Sequence, residues 1–189
     1  MDAVEAEVDE VASIVAAANI SGEIARSRAA IQSFAAALQA EISKAMAAGG
    51  PDAAIRICNT EAVLVAAKAS GEQGVNLGRV SLKNRSPLNY PNDWQAAVLL
   101  EFEERKAAGE DVGSLEWSEL VEAGDRLEFR YMKAIPTQAF CLQCHGPDIA
   151  PEVQETLAML YPEDLATGFE EGDIRGAFVA RGVVGDENL

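Results

Sequence analysis

The chain is expected to fold as an α+β domain, one antiparallel sheet flanked by helices with a helical extension at the N-terminus. In the first third, apolar residues recur every three or four positions. Further on, short alternating segments are separated by helical ones, and a central pair of them is joined by a two-residue turn.

A weak helical pattern from Val4 to Ala18 opens the chain and either pairs with the next helix or extends away from it. Ser21 is a good N-cap for that next helix, Ile24, Ile31, Phe34, Leu38 and Ile42 form its apolar stripe, and Gly49–Gly50 stops it. Ser27 and Arg28 interrupt the stripe, so the first turns are expected off the core. Pro51 and Asp52 open a further helix through about Ser70, with Ile55, Cys58, Ala62, Val65 and Ala69 on one face. Cys58 therefore points inward.

From Val75, VNLGRVSLK alternates as a strand, and NRSPLNYP is a polar, proline-punctuated loop. A helix is expected from about Asp93 to Ala108, with Trp94, Val98 and Phe102 on its apolar side. SLEWSELVEA and RLEFRYMKAI flank Gly124–Asp125 as a β-hairpin that Pro136 ends. A cysteine-rich stretch, a short helix from Pro151 to Leu160 and a last strand from Ile174 to Val184 complete the chain.

Composition narrows the chemistry. In 189 residues there are 31 acidic against 15 basic side chains, a formal charge of −16 that argues against nucleic acid or an anionic membrane as partner and favours a basic one. The one His excludes two-His metal sites and H-E-x-x-H helices. Three Cys are too few for a disulfide framework and leave one thiol over. The apolar stretch from Val11 to Ile20 is too short to span a bilayer, and the acidic start MDAVEAEVDE is unlike a signal peptide.

The segment CLQCH, Cys141 to His145, has the CxxCH spacing of covalent c-type haem attachment. Two thiols one helical turn apart add across the two vinyl groups, and the adjacent imidazole reaches the iron. A thioredoxin-like site needs a long helix after the motif, whereas Gly146–Pro147 stops one at once. A zinc site of Cys58, Cys141, Cys144 and His145 requires two adjacent residues to face one ion, and a Cys141–Cys144 disulfide is the remaining plain alternative. For the other face of the iron the choices are Met46, Met132, Met159, Cys58, a Lys, water or an open position. Arg79, Lys83 and Arg85 form a basic cluster suited to the haem propionates, or else a solvated strand edge. Tyr90, Trp94, Tyr131 and Met132 either line the pocket or belong to the core. The acidic residues are too dispersed to nominate a general acid or base.

Four segments, AIRICNTEA (54–62), VSLKNRSPLNYPNDWQ (80–95), FCLQCHGP (140–147) and YPEDLATGFEEGDIRGAFV (161–179), resemble the DUF3365 family of c-type haem domains over about residues 30–184. The resemblance implies a PAS-like fold at residues 31–189 behind an N-terminal helical extension at 1–30. It also implies one covalently attached haem c, with Cys141 and Cys144 as thioether anchors, His145 as proximal and Cys58 as distal iron ligand. A Cys58 thiolate is stabilised by ferric iron, so its ligation is expected to depend on redox state and pH.

The expected function is that of a monohaem c-type cytochrome transferring electrons to a partner with a basic docking face. A redox or gas sensor module, dimerising through its N-terminal helices, is the alternative. Catalysis at an open iron ranks last, since no distal His or Arg arrangement is identifiable. Because haem attachment to CxxCH takes place outside the cytoplasm, a periplasmic or thylakoid-lumen location is expected, Met1 standing where a leader has been removed.

Overall fold

The computed structural model describes the backbone of residues 2–124 and 126–184, and side chains from residue 20 onward within that range. Asp125 of the expected turn, and the side chains of the Val4–Ala18 segment, lie outside the described residues.

Helix α1 (Asp2–Thr60) runs unbroken through Ser21 and Gly22, so Ser21 starts no helix, and no break marks the boundary expected at residue 30. It bends at Gly49–Gly50, where Gly50 takes φ +68°, a left-handed conformation open to glycine. Pro51 then opens the second arm, at a position where its missing N–H has no intrahelical partner to lose. Helix α2 (Ala62–Gln73) follows across Glu61, where the i to i−4 hydrogen bonds continue (Glu61 N to Ile57 O, 2.8 Å). Gly74 ends it in the left-handed region, φ +63°.

The sheet consists of β1 (Asn76–Val80), β2 (Glu116–Ala123), β3 (Arg126–Pro136) and β4 (Ile174–Val183) in the order β1-β4-β3-β2, every pair antiparallel. The hairpin appears where the alternating segments place it. Helix α3 (Asp93–Ala107) begins with a capping box in which Asn92 accepts from the Gln95 N–H and the Gln95 side chain accepts from the Asn92 N–H. The single turn α4 (Leu142–His145) and helix α5 (Pro151–Leu160) lie between β3 and β4.

Period-two alternation gives the sheet two apolar faces. Met132, Ala134, Ala177 and Val179 pack with Val98, Leu99 and Phe102 of α3 on one side. Phe129, Tyr131 and Ala180 pack with Ala30, Ile31 and Phe34 of α1 on the other. The outcome at Ser27 and Arg28 corrects the expectation that the first turns leave the core. Ser27 is 1% exposed, and Ile20 and Ile24 continue the packed stripe. The small Ser27 fits where the helix meets its neighbours, and Arg28 reaches off the stripe to donate to Glu116 of β2 at 2.6 and 2.8 Å. A third cluster seats α5 (Val153, Leu157) with Tyr161 on Ile55 of the second α1 arm, reinforced by the Thr156 hydroxyl donating to Asp52.

Candidate functional site

Between the bent α1 and the α1 face of the sheet lies a cavity of about 360 Å³. That size is within the range of small-molecule sites, roughly 300–1,000 Å³. Leu38, Ile42, Ala54 and Ile55 supply apolar wall from α1, and Cys58 from the second arm faces the same space. Opposite stand Cys141, Cys144 and His145. All three thiols are free, so the Cys141–Cys144 disulfide is not formed. Among the described residues no group of three or more His, Cys, Asp or Glu is arranged to hold a metal ion.

The CLQCH turn is fixed by its neighbours. Gly146 ends it, and a Cβ there would come within 2.6 Å of the Leu142 carbonyl. The His145 and Gly146 carbonyls accept from the Phe169 and Gly168 N–H groups at 2.9 and 3.0 Å, holding the turn to the segment before β4. Arg85 clamps it from the third side: Nε donates to Asp164 at 2.9 Å, and one terminal nitrogen donates to the carbonyls of Cys144 (2.6 Å) and Ala166 (3.2 Å). Asp164 in turn accepts from the Ala166 N–H at 2.8 Å.

The His145 ring is placed in one tautomer. Nδ1 lies 2.7 Å from the Ala166 carbonyl, which only accepts, so Nδ1 carries the proton and Nε2 keeps its lone pair. Burial, helped by Arg175 and Arg85, lowers the imidazole pKa to about 2, so the ring is neutral at physiological pH. Burial raises the Cys58 thiol pKa, while Arg79, Arg85 and Arg175 pull against that rise.

Sequence reasoning named Arg79, Lys83 and Arg85 as one cluster, and the structure separates them. Arg79 and Arg85 line the cavity. Lys83 does not: its ammonium donates to the Thr167 carbonyl at 2.6 Å and sits 4.4 Å from the Phe169 ring centre, on the outside. Arg175, which the sequence reading did not select, takes its place on the cavity wall. An arginine followed by glycine inside a strand pattern, Arg175–Gly176, was the signal that could have drawn attention to it. Of the methionines, Met46 lines the cavity, Met132 is fully buried on the α3 side, and Met159 is 71% exposed. Tyr90 is solvent-exposed, Trp94 stacks on Trp117, and Tyr131 is core. None of these three borders the cavity.

Fold and site together define a single-sheet α+β domain with a binding cavity between its first helix and its sheet. The chain belongs to the Tll0287-like family, whose profile matches residues 2–181, in agreement with the resemblance to c-type haem domains. Among solved structures it is similar to the crystal structure of the cyanobacterial heme-protein Tll0287, at 27% identity and a TM-score of 0.49, over 62% of this chain and 68% of that one. No curated protein matches it.

Proposed function

We propose that this chain is a monohaem c-type cytochrome that carries electrons. The observation that carries the reading is the convergence, on one cavity, of the CLQCH turn and a second potential ligand from the far end of α1. The donor set suits haem c: two free thiols one turn apart, a neutral imidazole with an open Nε2, and guanidinium groups for the propionates. The family supports it too, since the protein it is named for is described as a heme-protein.

When bound, a c-type haem supplies a one-electron ferric/ferrous couple. The chain's residues do the rest. Cys141 and Cys144 are the thiols for the thioether links, and His145, held by Ala166, presents Nε2 to the iron. Cys58 would supply the second ligand, and its three arginine neighbours lower the cost of a buried thiolate. The charge of −16 favours a redox partner with a basic docking face, at a rate that falls with salt. No helix among the described residues is long and apolar enough to cross a membrane. A periplasmic or lumenal location follows from the attachment chemistry.

The test is expression with a c-type maturation system. One haem per chain should survive denaturation in the wild type and be lost from the polypeptide in Cys141→Ser/Cys144→Ser. Cys58→Ser should change the ferric spectrum and Met46→Leu should leave it intact; identical spectra of wild type and Cys58→Ser would remove Cys58 from the iron.

One observation favours a sensor as the second reading: Cys58 lies on the same helix, across the Gly49–Gly50 bend, as the long N-terminal arm. Loss of this ligand on reduction has a mechanical route outward. Ready CO binding by the ferrous protein together with a change in shape or oligomeric state supports sensing. Six-coordinate iron that excludes CO in both states supports electron transfer.

A further inference from the structure

Strict alternation along β4 puts Ala177 and Val179 on the α3 face and Gly176, Phe178 and Ala180 on the α1 face. Continued without interruption, it sends residue 175 to the α3 face, away from the cavity. The pairing with β3 slips at this point: Ile135 is opposite Gly176, but Pro136 is opposite Ile174. Arg175 is the extra residue of a β-bulge, a device that re-aims side chains. Ile174 accordingly joins the α3-face core, and Arg175 lines the cavity.

Two neighbours support the bulge. Gly176 has φ +151°, and a Cβ there would lie 2.3 Å from the Val80 carbonyl oxygen, so only glycine fits. The Ser81 hydroxyl donates to the Arg175 carbonyl at 2.8 Å, satisfying an acceptor displaced from the regular ladder. The guanidinium is only partly provided for. Its Nη1 makes long contacts to Ser81 Oγ (3.3 Å) and the Lys83 carbonyl (3.4 Å), and its buried Nε has no partner in the protein among the described residues. Arg79, opposite Phe178 on β1, enters the same cavity, and burial lowers the pKa of both arginines, that of Arg175 to about 10. Arg85, by contrast, is committed to Asp164 and the CLQCH turn. Two half-buried guanidinium groups on one cavity wall, one of them with a buried Nε that no protein group satisfies among the described residues, favour an anion beside them.

We propose that the β4 bulge exists to turn Arg175 into the cavity, where it forms with Arg79 a two-guanidinium clamp for the haem propionates. This rests on the haem reading above. It assigns the propionate contacts to Arg79 and Arg175, and removes Lys83 and Arg85 from that role.

The test uses the matured holoprotein with Arg175→Gln, Arg79→Gln, Arg175→Lys and the surface control Lys68→Gln, whose side chain is 77% exposed. Haem stoichiometry after denaturation checks the underlying reading separately. In Arg175→Gln and Arg79→Gln the midpoint potential should fall, since a cation that favours electron uptake is gone, and the propionate bending band in the resonance Raman spectrum should move. Arg175→Lys should recover most of the potential, and Lys68→Gln should match wild type. Stoichiometric haem with an unmoved band and potential in both Gln variants overturns the clamp; a wild type without covalent haem overturns the haem reading instead. Should Arg175→Gln fail to fold, Arg79→Gln gives the same readings and decides.

Discussion

The Arg85–Asp164 pair offers a quantitative check on how the CLQCH turn is held. Both side chains are nearly buried, 10% and 9% exposed, at an Nε to Oδ2 distance of 2.9 Å. Arg85 also donates to two carbonyls, and Asp164 accepts a backbone N–H. Removing one partner of such a pair leaves an uncompensated buried charge, at a cost of about 3–5 kcal/mol. Asp164→Asn keeps the shape but leaves Arg85 charged beside the already cationic Arg79 and Arg175, so the upper part of that range is expected. For a chain of this length 1 kcal/mol moves Tm by about 2–4 °C. Thermal melts should therefore fall by at least about 8 °C, and urea titrations should give a lower midpoint at an unchanged slope. The double variant Arg85→Met/Asp164→Leu, which removes both charges, should recover part of the loss. A single variant within about 1 kcal/mol of wild type would refute the clamp as a source of stability.

Three further outcomes are expected. Gly176→Ala should destabilise by about 2–5 kcal/mol in urea titrations, because it combines a disfavoured φ with a collision against the Val80 backbone. The Glu116 carboxyl, desolvated but held by Arg28 and Lys133, has its pKa lowered to about 2. Its contribution is complete above the unfolded value of about 4.3 and is lost as pH falls through 2, so Glu116→Gln should flatten the fall in stability between about pH 5 and pH 2, measured by urea titration. Asn92→Ala removes half of the α3 capping box and should cost about 1 kcal/mol in the same assay.

Much of this architecture is legible in residue pattern. The α3 stripe, the hairpin around Gly124, helix α5 and strand β4 all fall where periodicity and turn residues put them, because in each the local preference and the buried face agree. The pattern misleads at Ser27, where a polar residue is buried because it is small, a property of the contact and not of the helix. On the site, CLQCH and Cys58 stand out through chemistry and spacing, and both reach the cavity. Lys83 and Arg175 exchange places relative to the cavity for a reason that no periodicity holds: a one-residue bulge sends one arginine inward, while the Thr167 carbonyl holds the lysine ammonium outside. Alternation rules assume a regular ladder and fail where it is interrupted.

The walls of the cavity come from both ends of the chain, with α1 residues from 35 to 58 facing residues from 79 to 178. No short segment contains the site alone, so the pocket is complete only when β4 lies between β1 and β3. Contacts so distant in sequence form slowly. Any occupant that touches both walls draws the whole folding equilibrium toward the native state by mass action, giving a chain whose survival is tied to being filled.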